Sequence, residues 1–294
     1  MLLEDPRTPQ GLHHILAELK VTPAHRWGQN FLADPAIFSS LAQMATDTRP
    51  DPEIVEIGPG IGGLTLALLE RGARVTAIEL DKRMKPALEA VGDRFPGRLT
   101  LIWGDALTVS WRDAVASAGM SEPTVVGNLP YYITAPLLGR LMTADFPWKR
   151  AVLMMQREVA DRLLSEPGVR NTSVLSVLMR YNIEVHPGIA DVPPQAFVPA
   201  PEVHSAVLQL LRRPPLAVDR AAFAWVVRAG FQHRRKMLRQ ALSRAPGNFM
   251  SPSEWSGFLH SVEILDSARA EELTLEQWTR LAMAISQRRK ESGS

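Results

Sequence analysis

A glycine-rich turn and an acidic residue beyond it have the spacing of a nucleoside-binding site. The turn Gly58-Pro59-Gly60-Ile61-Gly62-Gly63 has the pattern G-x-G-x-x-G. Glycines at these positions let a ligand approach the backbone and the start of the following helix. Glu79 comes 21 residues after Gly58, where a carboxylate can accept hydrogen bonds from both hydroxyls of a ribose. We therefore expect an adenosine-containing ligand at Gly58, Gly60 and Glu79.

NAD(P), FAD and S-adenosylmethionine all fit this spacing, and three further features favour the last. Glu56 precedes the glycine turn, where a carboxylate repels a pyrophosphate but suits a sulfonium and an ammonium group. Asp105 follows Gly104 and can accept a hydrogen bond from the amine of an adenine. The third feature is the stretch 127–132. Together these features predict a donor pocket without a phosphate site.

The stretch Asn128-Leu129-Pro130-Tyr131 has the groups needed to activate an adenine amine. That nitrogen is a poor nucleophile because its lone pair is delocalised into the ring. The side-chain oxygen of Asn128 and the carbonyl of Leu129, held by Pro130, would accept both amine hydrogens and draw the nitrogen toward tetrahedral geometry. Tyr131 would stack on the base, whereas we expect Tyr132 to pack. The rate would then come from positioning, since a sulfonium already activates its methyl group.

The elements that position these residues alternate between apolar strands and helices, a pattern typical of a parallel sheet covered on both faces. Strands are predicted at 53–57, 74–79, 99–103, 124–126, 151–156, 181–186 and 205–211. Helices are predicted at 11–19, at 63–71, 83–91, 111–118 and 135–142, and after Asp34, which would be an N-cap with Pro35 as the first helical residue. The fold class is therefore α/β, with a seven-stranded, mostly parallel sheet.

The alternation stops at Pro214-Pro215, and only helical patterns follow. We therefore predict a catalytic domain at 1–213 and a small all-helical domain at 214–294. Segment 206–250 carries nine basic residues against one acid, although the whole chain has a net charge of +2. Such a concentration indicates a polyanionic partner. Residues 231–242 are predicted to form one amphipathic helix, with Arg228, Arg235 and Arg239 on a phosphate-binding face.

The composition excludes several other classes of protein. With 294 residues, 46% hydrophobic and 22% charged, the chain is typical of a soluble globular protein. It has no cysteine, which excludes disulfides, thiolate metal sites and cysteine nucleophiles. Its seven histidines show no metal-binding spacing, and we expect no metal. No apolar run has the length of a membrane span, and the N-terminus does not resemble a signal peptide, so a cytoplasmic protein is expected.

An ordered series of motifs over nearly the whole chain resembles the ribosomal RNA adenine dimethyltransferase family of class I S-adenosylmethionine-dependent enzymes. The motifs are Gly28-Gln29-Asn30-Phe31-Leu32, Glu56-Ile57-Gly58-Pro59-Gly60, Ile78-Glu79-Leu80-Asp81, Gly104-Asp105-Ala106, Asn128-Leu129-Pro130-Tyr131, Met155-Gln156-Arg157-Glu158-Val159-Ala160, Phe197-Val198-Pro199-Ala200-Pro201-Glu202-Val203 and Arg234-Arg235-Lys236-Met237-Leu238-Arg239.

This resemblance implies a Rossmann-like fold and dimethylation of two neighbouring adenines near the end of 16S rRNA, in an assembling small ribosomal subunit, by a monomer. It implies donor contacts at Asn30, Leu32, Gly58, Glu79, Asp105 and Asn128. Phe197 is expected on the second face of the adenine, with a core anchor as the alternative. Arg234, Arg235, Lys236 and Arg239 are expected to contact RNA. The proline-rich loop and the basic helical tail favour this 16S-directed branch over the 23S-directed methyltransferases.

The sequence departs from the family pattern in three loops. Only His25, Arg26 and Trp27 stand where the family usually has a lysine-rich run, Thr172-Ser173 replaces a Tyr-Gly pair, and His204 replaces an acid.

Two other functions remain as alternatives. An NAD(P)-dependent oxidoreductase would use the glycine motif but would have no use for residues 128–131. A non-catalytic assembly or transcription factor would bind RNA without needing Asp105 or Asn128.

Overall fold

The computed structural model describes residues 4–23, 29–47, 50–143, 146–169, 172–233 and 235–291, and only the backbone of Tyr131. The chain forms two compact units, of which the first is Met1–Ala160 with His186–Arg212 and the second is Asp161–Val185 with Arg213–Ser294. Across the described ranges, no helix combines the length and the apolar character that crossing a membrane requires.

The first unit alternates strands and helices as the sequence pattern predicts. Its strands are β1 (Phe31–Leu32), β2 (Glu53–Ile57), β3 (Arg74–Glu79), β4 (Leu99–Trp103), β5 (Thr124–Asn128), β6 (Arg150–Gln156), β8 (Phe197–Val198) and β9 (Ser205–Arg212). The remaining strand, β7 (Ile183–Pro187), includes the last residues of 161–185 and the first residues of the segment that begins at His186. Its helices are α1 (Pro9–Glu18), α2 (Pro35–Thr46), α3 (Gly63–Glu70), α4 (Lys85–Gly92), α5 (Trp111–Ser117) and α6 (Thr134–Thr143), and α7 (Arg157–Leu164) begins in it.

Seven strands form one sheet in the order β4-β3-β2-β5-β6-β9-β7. The pairs from β4 to β6 are parallel, whereas β9 runs antiparallel to β6. The seven-stranded, mostly parallel sheet predicted from the sequence is thus confirmed. Because β2, β3, β4 and β5 are parallel neighbours, their carboxyl ends meet at one edge, and Glu79, Asp105 and Asn128 lie there or directly after it.

Local sequence signals set several of these boundaries. The side chain of Asp34 accepts hydrogen bonds from the backbone N–H groups of Ala36 and Ile37, so it caps α2 as predicted. All five residues of β2, including Glu53 and Glu56, are buried, as expected for a strand that is covered on both faces of the sheet.

The sequence pattern did not predict a second, two-stranded sheet. β1 and β8 pair antiparallel, with Phe31 opposite Val198 and Leu32 opposite Phe197. Each strand has only two residues, too few for a periodic signal.

The second unit consists mainly of helices: the rest of α7, then α8 (Val174–Met179), α9 (Arg220–Phe231), α10 (Leu238–Ser243), α11 (Pro252–Ser261) and α12 (Leu275–Glu291). Its core contains the fully buried Phe223, Trp255 and Trp278. Residues 161–185 belong to this unit, whereas the sequence-based division assigned all of 1–213 to the first domain. The reason is packing: the buried Val177 of α8 joins the core of α9 and α12.

The predicted single helix over 231–242 is wrong. α9 ends at Phe231 and α10 begins at Leu238, so Arg228, Arg235 and Arg239 do not share one helix face. Tertiary contacts override the local pattern, because the N–H of Leu238 donates to the Ala268 carbonyl at 2.7 Å rather than to a preceding helical turn.

The tight packing at the end of β5 gives a test of this architecture. A Cβ at Gly127 would lie 2.9 Å from the Ile57 carbonyl oxygen of β2. We expect Gly127→Ala to lower the free energy of unfolding by about 1–3 kcal/mol, measured by urea denaturation. The matched control is Gly139→Ala in α6, where a Cβ meets no atom within 4 Å. It should raise stability by roughly 0.5–1 kcal/mol, since alanine is the better helix former. Equal effects of the two substitutions would contradict the packing described.

Candidate active site

A cavity of about 240 Å³ lies at the carboxyl edge of the sheet, within the first unit. It brings together all seven residues expected to contact a donor. They are Asn30, Leu32, Gly58, Gly60, Glu79, Asp105 and Asn128. Leu129, Pro130 and Phe197 also line it.

The glycine turn and Glu79 form one hydrogen-bonded unit. Gly58 and Gly60 have φ angles of 67° and 58°, the left-handed region that favours glycine. A Cβ at Gly60 would lie 3.1 Å from the ring of Phe31. Glu79 accepts a hydrogen bond from the N–H of Gly60 at 2.9 Å and another from the N–H of Asp81 at 2.8 Å. Each carboxylate oxygen retains a further lone pair, so ribose hydroxyls can still bind there.

Burial raises the pKa of Glu79, and the backbone hydrogen bonds offset only part of that effect. Glu56 is buried more completely, with 1% of its surface exposed, and accepts a hydrogen bond from the Thr65 hydroxyl at 2.7 Å. Burial raises the pKa of Glu56 to about 8, and the neighbouring Glu79 adds to the shift. From the sequence we expected a charged acid at Glu56, whereas this pKa leaves the carboxyl group mostly protonated at pH 7.

Side chains from two helices, α5 and α6, donate hydrogen bonds to the loop that carries Asp105. Asp105 itself accepts a hydrogen bond from the N–H of Leu107 at 2.8 Å. The guanidinium of Arg140, in α6, donates to the carbonyls of Ala106 and Val109. It also lies 4.8 Å from the centre of the Trp111 ring, and the indole of Trp111 donates to the Ala106 carbonyl at 2.9 Å. Arg140 was missed by the sequence reasoning, because a single arginine between the buried leucines of α6 resembles a surface residue.

The amide of Asn128 has a defined orientation at the end of β5. Its Nδ2 donates to the backbone carbonyl of Asn30 at 3.3 Å, which leaves the amide oxygen on the other side of the group. Leu129 is buried, and its N–H donates to the Met154 carbonyl at 3.0 Å, continuing the ladder between β5 and β6. Pro130 follows, with φ of −54°, and begins the turn to the short helix 131–133.

The aromatic residues expected near the adenine have different environments. Phe197 is 4% exposed and packs in the core, as the alternative expectation has it. It also lines the cavity, and its contact with an adenine stays a prediction. The expectation that Tyr132 packs is wrong, because it is 54% exposed and borders the cavity. It follows the rigid turn at Pro130, which directs it outward. The side chain of Tyr131 lies outside the described part of the structure.

The described residues expected to contact RNA belong to the second unit: Arg235 and Lys236 lie between α9 and α10, and Arg239 lies in α10. Arg235 and Lys236 are exposed, whereas Arg239 is partly buried and donates to the sulfur of Met237. Arg234 lies outside the described residues. Of the three divergent loops, His25 also lies outside them, Thr172 is buried, and His204 contacts Asp191 at 2.8 Å.

Comparison with known proteins assigns this arrangement to a family. A family model described as "Ribosomal RNA adenine dimethylase" matches residues 22–287. The chain belongs to the ribosomal RNA adenine dimethylase family. A protein named "Ribosomal RNA small subunit methyltransferase A" from Dinoroseobacter shibae is 40% identical over 282 residues, which cover 93% of this chain and 96% of that protein. Its namesake from Geobacillus sp. is 35% identical over 288 residues, or 96% of this chain and 98% of that protein.

Solved structures agree with this family. The 23S rRNA methyltransferase ErmE is 26% identical, with a TM-score of 0.67, and the match covers 87% of this chain and all of ErmE. A dimethyladenosine transferase from Plasmodium falciparum shares the fold, with a TM-score of 0.72 at 23% identity, over 89% of this chain and 98% of that one.

This adenine dimethylase is therefore an S-adenosylmethionine-dependent rRNA adenine dimethyltransferase. The oxidoreductase and the non-catalytic factor considered from the sequence are thereby set aside. The cavity fits this donor: two carboxylates suit a ribose and an adenine amine, and a bound cation would favour the ionised form of the buried Glu56. A dinucleotide would instead bring phosphates to the same acids.

The pKa of Glu56 predicts how stability varies with pH. Because the pKa is about 8 in the folded protein against an ordinary value of 4.5, the folded state keeps a proton that the unfolded state releases. Stability should therefore fall as pH rises from about 4.5 to 8, by at most about 1.4 kcal/mol per pH unit from this group. Glu56→Gln removes this contribution. The difference in free energy of unfolding between variant and wild type, measured by urea denaturation at several pH values without donor, should grow in the variant's favour with pH. A difference that stays constant would contradict the buried, protonated acid.

Proposed function

We propose that this dimethyltransferase acts on the exocyclic amines of two adjacent adenines near the 3′ end of 16S rRNA, in the small ribosomal subunit, during its biogenesis. Relatives whose name specifies the small subunit are 40% identical and match over almost their full length, which supports this choice. The similarity to ErmE is lower, at 26% identity.

The observation that carries the proposal is the orientation of Asn128 beside the donor residues. With Nδ2 bonded to the Asn30 carbonyl, the side-chain oxygen of Asn128 is the end of the amide that can accept an amine hydrogen. The Leu129 carbonyl accepts the second hydrogen, since Pro130 fixes the direction of the chain there. These two hydrogen bonds draw the amine hydrogens out of the plane of the ring, so the nitrogen lone pair is no longer delocalised and becomes available. Tyr131 and Phe197 stack on the two faces of the base.

The donor residues hold S-adenosylmethionine at the same edge of the sheet. Glu79 binds the ribose, Asp105 binds the adenine amine, and Gly58 and Gly60 permit close approach to the backbone. Asn30 and Leu32 line the same cavity and complete the donor contacts. When bound, S-adenosylmethionine supplies a methyl group activated by a positively charged sulfur. The protein's contribution is to align the amine with that methyl group and to orient polar groups toward the developing charge.

The two units have separate roles in this proposal. The first binds the donor and catalyses transfer, while the basic segment of the second binds rRNA phosphates through Arg234, Arg235, Lys236 and Arg239. All of the proposed donor residues line one cavity in a single chain, which supports a monomeric enzyme. We propose the cytoplasm as its location, because bacterial small subunits assemble there.

The primary test is methylation of isolated small subunits that lack the mark. Wild type should incorporate methyl groups at two adjacent adenines, located by mass spectrometry of the rRNA. Asn128→Ala should reduce the rate by about 100-fold or more, because it removes an acceptor used in the transition state. Gln43→Ala, which truncates an exposed polar side chain of α2 outside the cavity, serves as the control and should methylate like wild type.

The proposal fails if wild type methylates only large subunits, or if Asn128→Ala retains full activity.

The exposed Lys236 tests the role of the basic segment. Lys236→Gln should weaken binding to small subunits, and the plot of log affinity against log salt should become less steep by about 0.7–0.9, the contribution of one phosphate contact. Lys85→Gln, which removes an exposed lysine of α4 in the other unit, is the matched control. Equal salt slopes for Lys236→Gln and Lys85→Gln would exclude Lys236 from the RNA-binding surface.

A further inference from the structure

Asp81 contacts the segment 29–32, which lines the cavity, and it is not one of the residues expected to bind the donor. Its carboxylate is 5% exposed, at the carboxyl end of β3, and lines the cavity. The side-chain Nε2 of Gln29 donates to its Oδ2 at 3.2 Å. The two residues are 52 positions apart in the chain, so this hydrogen bond joins two otherwise separate loops.

Asp81 is itself held firmly. The guanidinium of Arg83 donates to both of its oxygens, at 2.5–3.1 Å. Its backbone N–H donates to Glu79 at 2.8 Å. Burial raises the pKa of Asp81, but the hydrogen bonds from Arg83 and Gln29 outweigh burial and keep the pKa below its ordinary value. Gln29 therefore bonds to an ionised group in a fixed position, and such charge-assisted hydrogen bonds are stronger than neutral ones.

The chain next to Gln29 leads directly to the amine-binding residue. The carbonyl of Asn30 accepts the hydrogen bond from Asn128, and the ring of Phe31 lies over Gly60. Leu32 then pairs with Phe197 in the two-stranded sheet. The segment 29–32 therefore contacts the loop after β3, the end of β5 and the glycine turn after β2, and these three strands are neighbours in the sheet.

We propose that Gln29 and Asp81 are positioning residues for methyl transfer. Their hydrogen bond fixes the segment 29–32 so that the Asn30 carbonyl holds the Asn128 amide with its oxygen directed to the adenine amine. Without it, the segment 29–32 is held less firmly on the β3 side, and the Asn128 amide departs more readily from this orientation. This inference rests on the proposed role of Asn128.

Gln29→Glu tests the bond with almost no change of shape, because it replaces the donor with a second carboxylate facing Asp81. We expect kcat on small subunits to fall by about tenfold or more, as expected for a displaced reactive group, while the Kd of S-adenosylhomocysteine by calorimetry changes less than about threefold. Gln29→Met, which lacks the donor but adds no charge, should show a smaller loss of kcat. Thermal unfolding of each variant reports on folding.

The double variant Gln29→Glu with Asp81→Asn restores the hydrogen bond with its direction reversed. The amide at position 81 becomes the donor and the carboxylate at position 29 becomes the acceptor. Its kcat should exceed that of Gln29→Glu alone by about threefold or more, which a purely structural role of either residue would not produce. Gln10→Glu, an exposed residue of α1 outside the cavity, is the matched control and should behave like wild type.

Assays of wild type and Asn128→Ala on the same substrate distinguish a failure of the proposed function from a failure of the positioning role. An inactive wild type, or an active Asn128→Ala, refutes the proposed function itself. If both behave as proposed, the positioning role is overturned when Gln29→Glu matches Gln10→Glu, when its loss appears only in the Kd of S-adenosylhomocysteine, or when Asp81→Asn gives no rescue.

Discussion

The hydrogen bond between Asn128 and the carbonyl of Asn30 is the constraint on which the catalytic account depends. An amide has a donor end and an acceptor end, and only its acceptor end can draw hydrogens from an adenine amine. Nδ2 of Asn128 donates to the Asn30 carbonyl at 3.3 Å, so the side-chain oxygen is the end of the amide that is available to the adenine amine. It also joins the end of a sheet strand to the short segment before β1, whose position the sheet alone does not determine.

The same edge of the sheet concentrates three carboxyl groups, and each has different partners. Glu56 accepts a hydrogen bond from the Thr65 hydroxyl and has a pKa raised by burial, Glu79 accepts hydrogen bonds from two backbone N–H groups, and Asp81 pairs with Arg83. A buried acid without partners would be costly, so these contacts allow acidic groups to collect at one edge of the sheet. The arrangement is suited to a sulfonium and an ammonium and unsuited to phosphates.

The sequence predicted the sheet well because buried parallel strands produce short, continuous apolar runs. It also located Gly58, Glu79, Asp105 and Asn128 at successive strand ends, and the structure brings them to one cavity. It missed features that depend on contacts between distant residues: the pairing of β1 with β8, the turn that ends α9 at Phe231, and the bond from Gln29 to Asp81. The sequence also led us to expect Tyr132 in a packed position, because the residue type alone does not show in which direction the turn after Pro130 orients the side chain.

A crystal structure of the protein with S-adenosylhomocysteine and adenosine bound would test the central claim most directly. The account predicts that the adenine amine lies within hydrogen-bonding distance of the Asn128 side-chain oxygen and the Leu129 carbonyl, while Nδ2 of Asn128 still donates to Asn30. An Asn128 amide whose nitrogen faces the adenine, or an adenine amine bound away from residues 128–131, would contradict it.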